Sequence, residues 1–207
     1  MVDFDQDKGA ARADLCRLLA ACYYQPGPEF AEEKVFDAML GAASRIDAAL
    51  AVHARRLGEE FAGEDPAALL VDYTRLFLGP VDMLAKPYGS AWLGGDTTLM
   101  QESSMAVAAL YEEGGFEIAE DFRELPDHVA AELEFLYLLI FREAGARLSG
   151  DVDALHAIAG LRKRFLDQHL ARWVGRFTAA VSAGAQSAYY RELAALTNLF
   201  VTMEASH

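Results

Sequence analysis

The 207-residue sequence is poor in the residues and patterns that most chemistries require. It has two cysteines, Cys16 and Cys22, and no C-x-x-C spacing, which leaves a zinc knuckle or a redox pair without support. They lie six positions apart in a stretch of helical periodicity and so face different sides, which argues against a disulfide between them. Val, Ile and Thr are all sparse, which disfavours a β protein. Eighteen basic residues face 32 acidic ones, for a net charge of -14. Such a surface repels nucleic acid and anionic membranes, and favours a basic partner through long-range steering. No G-x-x-x-x-G-K-[ST], G-x-G-x-x-G or G-x-S-x-G occurs, so no phosphate-cradling loop or nucleophile elbow is present. The longest run of large apolar side chains, Phe135 to Phe141, is too short to span a bilayer. The start, "MVDFDQDKGAARAD", carries no apolar signal core. These absences predict a soluble, reduced, cytoplasmic chain without an integral membrane segment.

What is present is helical periodicity in a composition that is 53% hydrophobic. Helices are expected at about Ala10–Tyr24, ended by "QPGP", at Glu29–Leu40, stopped by Gly41, and at Ala43–Phe61, closed by "AGEDP". Pro66 is placed to open a fourth, because its missing N–H costs nothing in a first turn. "GPVDMLAKPYGSAWLGGD" (Gly79 to Asp96) is irregular but too apolar for a linker, and reads as functional or as a hinge. Thr98 with Gln101 fits a capping box for a helix running to about Glu113. A helical turn is expected near Glu117–Arg123. A helix follows that is apolar on nearly every side: Leu133, Leu136, Tyr137, Ile140 and Phe141 form one stripe, widened by Phe135, Leu138 and Leu139. It belongs at the centre of a bundle. Further helices are expected at about Val152–Leu170, Arg172–Ala183 and Ser187–Met203. The expected fold is all-α, a single-domain bundle of about eight to ten helices, with an N-terminal lobe to about residue 78, a hinge at about 79–96 and a C-terminal lobe from about 97.

A di-iron bundle needs Glu-x-x-His on two helices, and the sole match is Glu204 to His207 at the terminus. The other histidines have no ligand spacing. Neither a metal site nor a catalytic residue is expected, and an acidic helical chain with an apolar central loop points to peptide binding. Helical grooves take apolar segments, and carboxylates take arginine in a bidentate fork.

Five stretches in order, "YTRLFLGP" (Tyr73–Pro80), "KPYGSAWL" (Lys86–Leu93), "LMQESSMAVAALYEEGGF" (Leu99–Phe116), "ELPDHVAAELEFLYLL" (Glu124–Leu139) and "FLDQHLARWVGRF" (Phe165–Phe177), resemble the TorD/DmsD/NarJ family of redox-enzyme maturation chaperones. The resemblance implies a non-enzymatic cytoplasmic chaperone that serves assembly and cofactor insertion of a molybdenum-cofactor oxidoreductase subunit. Its partners would be that apo subunit and its N-terminal twin-arginine leader, with export delayed until maturation. It implies no resident cofactor; weak GTP binding and swapped dimers are known of some members, so monomer and swapped dimer both stay open. The alternatives are a same-fold chaperone for a non-exported client, of the nitrate reductase type or another metalloenzyme, and a GTP-binding helical protein. Carried over by motif, the peptide-binding residues are Asp127 and His128, with Glu124 and Pro126 beside them, and the hinge aromatics Tyr88 and Trp92. Where members often read P-P-Y-E-S, this chain has Lys86-Pro87-Tyr88-Gly89-Ser90, so the acid is missing and the loop is expected to be more flexible.

Each residue also has an ordinary role to weigh. Pro126 is structural at a helix start, and Asp127 in a first turn complements the helix dipole or caps N–H groups. A cationic His128 gains nothing there, which favours a binding role: ionised Asp127 holding a leader arginine, and His128 hydrogen-bonding leader backbone or reporting pH. Glu132 and Glu134 lie among apolar residues and need partners; Arg75 is the expected one, in a lobe-bridging ion pair. His169 and Trp173 share a helix face and read as packing.

Overall fold

The computed structural model describes residues 4–79, 82–93, 97–118 and 124–206. They form an all-α bundle: α1 (Phe4–Ala21), α2 (Glu29–Glu32), α3 (Val35–Ile46), α4 (Ala48–Gly63), α5 (Pro66–Tyr73), α6 (Ser90–Leu93), α7 (Thr97–Glu113), α8 (Val129–Ser149), α9 (Val152–Gln168), α10 (Leu170–Gly184) and α11 (Ala188–Ala205). Among the described residues the single extended pairing is an isolated antiparallel bridge between Tyr88 and His128. The capping side chains expected at Thr98 and Gln101, and most of the turn expected at Glu117–Arg123, lie outside the described residues.

Pro66 does open α5, and Asp65 caps it by accepting from the Ala67 N–H. Elsewhere the boundaries move for local reasons. Gly41 does not stop a helix: it sits exposed inside α3, which buries Met39, Ala42 and Ala43 on the opposite side. The roughly 1 kcal/mol that an interior glycine costs is outweighed by that packing. The break comes instead at Asp47, which turns extended and caps α4 through the Ala49 N–H. The expected Glu29–Leu40 helix is divided by Lys34, whose φ of 53° is left-handed.

After Tyr73 the α5 turn widens into a π-helical turn, Thr74–Leu78. Gly79 closes it at φ 55°, donating its N–H to the Thr74 carbonyl at 2.7 Å. The next segment is tied to the end of this turn: the Ala85 N–H donates to the Leu76 carbonyl at 2.9 Å.

Helix α8 is central, as its composition predicts. Leu133, Phe135, Leu136, Leu139 and Ile140 are buried, and α1 and α9 pack against it. Phe141 departs from the expected inward stripe and is 57% exposed. Helix α4 packs on α11, α10 on α11, and α1 on α3, so buried side chains from α1 to α11 join one core. Tyr23, Phe77 and Phe177 meet ring to ring inside it.

Four charged residues cross-link the helices without any signal in local pattern. Arg12 on α1 forks both oxygens of Glu204 on α11 at 2.7 and 2.5 Å. Arg162 on α9 donates to Glu143 on α8 at 2.9 Å and to the Glu204 carbonyl at 3.1 Å. Glu143, Arg162 and Glu204 are all buried, so each charge depends on its partners. Replacing Arg162 by alanine takes one partner from each of two buried carboxylates, leaving Glu204 to Arg12 and Glu143 to Arg147, and should cost about 1.5–3 kcal/mol, read from urea unfolding. Arg164→Ala, which breaks an exposed pair with Glu113, is the control and should leave the midpoint in place.

Candidate functional site

The segments Lys86–Leu93 and Glu124–Val129 meet through their backbones. The Gly89 N–H donates to the Asp127 carbonyl at 2.9 Å, and the Val129 N–H to the Pro87 carbonyl at 2.8 Å. The Asp127 side chain completes the junction. It is 0% exposed; one oxygen accepts from the Ser90 N–H at 2.7 Å and the other from the Ser104 hydroxyl at 2.8 Å. One carboxylate thus binds the start of α6, the middle of α7 and the entry to α8. Tyr111 adds a hydrogen bond to the Pro126 carbonyl at 2.8 Å.

This corrects two expectations. Asp127 does not cap its own helix or offer its carboxylate to solvent; both oxygens are engaged inside the protein. His128 has a structural role after all: it is the N-cap of α8, its Nδ1 accepting from the Ala130 N–H at 3.2 Å. A neutral imidazole can accept where a cation cannot. Burial pushes the His128 pKa down to about 4, against the pull of Glu124 and Asp127, so it does not sense pH near neutrality.

Around this buried pair the other expected residues are accessible. Tyr88 packs its ring on His128 at 5.4 Å and donates its hydroxyl to exposed Glu124 at 2.5 Å. Burial first, and then Glu124, raises the Tyr88 pKa, so the phenol keeps its proton and acts as donor. Trp92 is half-buried; its indole N–H donates to the Lys86 carbonyl, and its own carbonyl accepts from Arg176, each at 2.9 Å. Beside them lies an open groove of about 290 Å³ lined by Leu78, Asp82, Met83, Tyr88, Ala91 and Leu125 among others. Leu78 and Leu125 are 49% and 52% exposed. Asp82, paired with Lys86 at 3.3 Å, stands at its rim. Sequence reasoning missed Leu78, Asp82 and Leu125, and also Ser90 and Ser104; Ser90 takes part through its backbone N–H, which no residue type announces. A larger cavity of about 400 Å³ lies among Phe30, Phe36 and Phe61, and none of the motif residues reaches it.

Glu132, Glu134 and Arg75 do not come together. Arg75 pairs with Asp72 three residues earlier at 2.8 Å. Asp72 also accepts from the backbone of Gln186 and Ser187 and anchors the start of α11. Half-buried Arg75 thus has a neighbour within its own turn, which a distant acid cannot match. Glu134 accepts from the Tyr24 hydroxyl, and Glu132 from the Trp173 indole at 3.2 Å. His169 and Trp173 are buried, as packing residues should be. Among the described residues no cluster of His, Cys, Asp and Glu could hold a metal ion, and no helix is long and apolar enough to cross a membrane.

The depressed histidine gives a stability signature. Unfolded chains take up the His128 proton near 6.5, folded ones only near 4. Stability should therefore fall as the pH drops from about 6.5 to about 4. His128→Asn keeps a cap acceptor but cannot titrate, so urea midpoints measured across that window should fall less steeply in the variant than in the parent.

The comparisons with known proteins fit this geometry. The family described as nitrate reductase delta subunit matches residues 42–179, well over half of the chain and inclusive of the whole site. The chaperone protein TorD of Vibrio atlanticus is 24% identical over 139 residues, which are 67% of this chain and 63% of that protein. This chain thus spans less than two thirds of that relative's length. The selenate reductase assembly chaperone protein of Thauera selenatis is 40% identical over 80 residues, 38% of this chain and 39% of that one. A crystal structure described as a redox enzyme maturation protein from Archaeoglobus fulgidus shares the fold, with a TM-score of 0.55 at 21% identity, covering 92% of this chain and 93% of that one. The five motifs, the all-α bundle they build and the match over residues 42–179 place the chain in the nitrate reductase delta subunit family.

Proposed function

We propose that the chain is a cytoplasmic, non-catalytic chaperone for assembly and cofactor insertion of a molybdenum-cofactor oxidoreductase subunit. In this reading it binds the subunit's twin-arginine leader and delays export until maturation. Support comes from relatives that are themselves named chaperones, TorD and the selenate reductase assembly protein. The observation that carries it is the groove beside the motif junction: an apolar floor of Leu78, Tyr88 and Leu125 with the carboxylates of Asp82 and Glu124 close by. A leader offers the complement, two arginines followed by an apolar stretch. Arginine forks carboxylates better than the Lys86 ammonium or the Tyr88 phenol does, so exchange at the rim favours the peptide. Asp127 and His128 serve by holding the groove's walls in register, Pro126 by fixing the entry to α8, and Trp92 by bracing the Lys86 turn. The site is the same for an exported client and for a non-exported one of the nitrate reductase type. The division into two lobes about residues 79–96 belongs to the same proposal, with the groove at the hinge.

Calorimetric titration with a twin-arginine leader peptide from a molybdoenzyme tests this reading. Each charge-assisted hydrogen bond is worth about 1.5–3 kcal/mol. The double variant Asp82→Asn, Glu124→Gln should therefore weaken binding at least about tenfold, and replacement of the leader arginines should do the same to the parent. Equal affinity in parent and double variant would remove the groove from the proposal. No binding by either would remove the leader.

A further inference from the structure

Beneath the groove lies a carboxyl group with an unusual setting. Glu132, on the first turn of α8, is 0% exposed. One of its oxygens accepts from the Trp173 indole at 3.2 Å; the other, Oε1, has no hydrogen-bond partner. Directly above runs the Pro87–Leu93 segment, and it touches this pair at its one residue without a side chain. A Cβ at position 89 would sit 2.8 Å from Trp173 Nε1 and 3.1 Å from Glu132 Oε1. Trp173 is fully buried and has no room to yield. Gly89 is therefore a close-approach residue, and the flexibility expected of it is absent: its N–H and that of Ser90 are both bound to Asp127.

We propose that Glu132 is the positioning residue of the groove: its undissociated carboxyl, with Trp173, forms the seat on which Gly89 rests, and its ionisation releases the Pro87–Leu93 segment. This inference rests on the assignment of that segment to the peptide groove. A carboxylate with an unpartnered oxygen in an apolar seat is expensive, whereas a neutral acid is tolerated. Burial, assisted by nearby Asp127, raises the Glu132 pKa well above its ordinary value. The ionisable groups around it are Asp127 before α8 and Tyr111 on α7, with His128 one turn before it and His169 facing Asp127. Tyr111 is itself held neutral by burial. Lifting the segment hydrates Glu132, which then loses its proton, so opening is favoured as the pH rises above the ordinary carboxyl range. Between about 4 and 6.5 the uptake of a proton by uncovered His128 opposes this. Above that range the Glu132 proton dominates.

Hydrogen exchange of the Gly89 and Ser90 amides in the peptide-free chain reads the opening without any leader. After correction for intrinsic rates, their protection should fall with pH above about 6.5, by up to about tenfold per unit. Glu132→Gln, an isostere that cannot ionise, should keep the protection and flatten the profile. Glu132→Ala should lose protection at every pH. A parent profile already flat, or the same slope in Glu132→Gln, would overturn the inference, as would loss of protection in Glu132→Gln at all pH values. Leader titration of the same variants separates the two questions. If exchange behaves as expected and no variant, nor the parent, binds leader, the seat stands and the groove's ligand is wrong.

Discussion

The Asp127 carboxylate is the interaction on which the site depends. It lies in no regular element, is wholly enclosed, and spends both oxygens on groups from different parts of the chain: a backbone N–H at the head of α6 and a hydroxyl on α7. Charge-assisted hydrogen bonds to a buried acid are among the stronger single contacts in a protein, and loss of either side leaves the other desolvated. The Tyr88–His128 bridge, the neutral imidazole cap of α8 and the approach of Gly89 to Trp173 all lie within a few residues of this anion. Each needs the two segments held at one separation, and the carboxylate sets that separation.

Much of this was legible in the sequence, and what was not had a consistent physical cause. The helical class, the central position of α8, the role of Pro66 and the set Tyr88, Glu124, Asp127 and His128 were all visible in local pattern or motif. Partners far apart in sequence were not. Ser90 lies 37 residues from Asp127, and Arg12 lies 192 from Glu204; no periodicity announces such pairs. His128 was misjudged because a helix N-terminus repels a cation, whereas burial makes the ring neutral and the ring then accepts. Gly41 and Gly89 failed in opposite ways. One was read as a stop and is an ordinary exposed helical residue; the other was read as loose and is held in contact on both sides. Composition cannot tell these cases apart, because only the neighbours decide what an absent side chain is for.

The charge distribution connects stability with recognition. Within the core, Arg12 and Arg162 answer Glu143 and Glu204, so this cross-helix cluster is electrostatically balanced. The excess that makes the chain -14 overall is therefore carried outside that cluster, where it sets up a long-range negative field. Such a field speeds encounter with a basic peptide and contributes less once salt screens it. In the proposed reading, contact at short range would fall to the half-exposed leucines and the acids beside them. The charges that hold the fold are thus not those at the rim, and the rim can vary without disturbing the core.

The widened turn Thr74–Leu78 carries a consequence of its own. A π-helical turn is an α-helix holding one residue more than its hydrogen-bond ladder needs. Helical positions are spaced by about 100°, so that supernumerary residue sets the direction in which everything after it points. Leu78 faces the groove, and Gly79 can close the helix over Asp82, because of this phase offset. The groove wall is in effect built from a counting irregularity. Shortening the turn by one residue would mend the ladder and turn the wall away, so the helix in its more regular form is the one that cannot make the site.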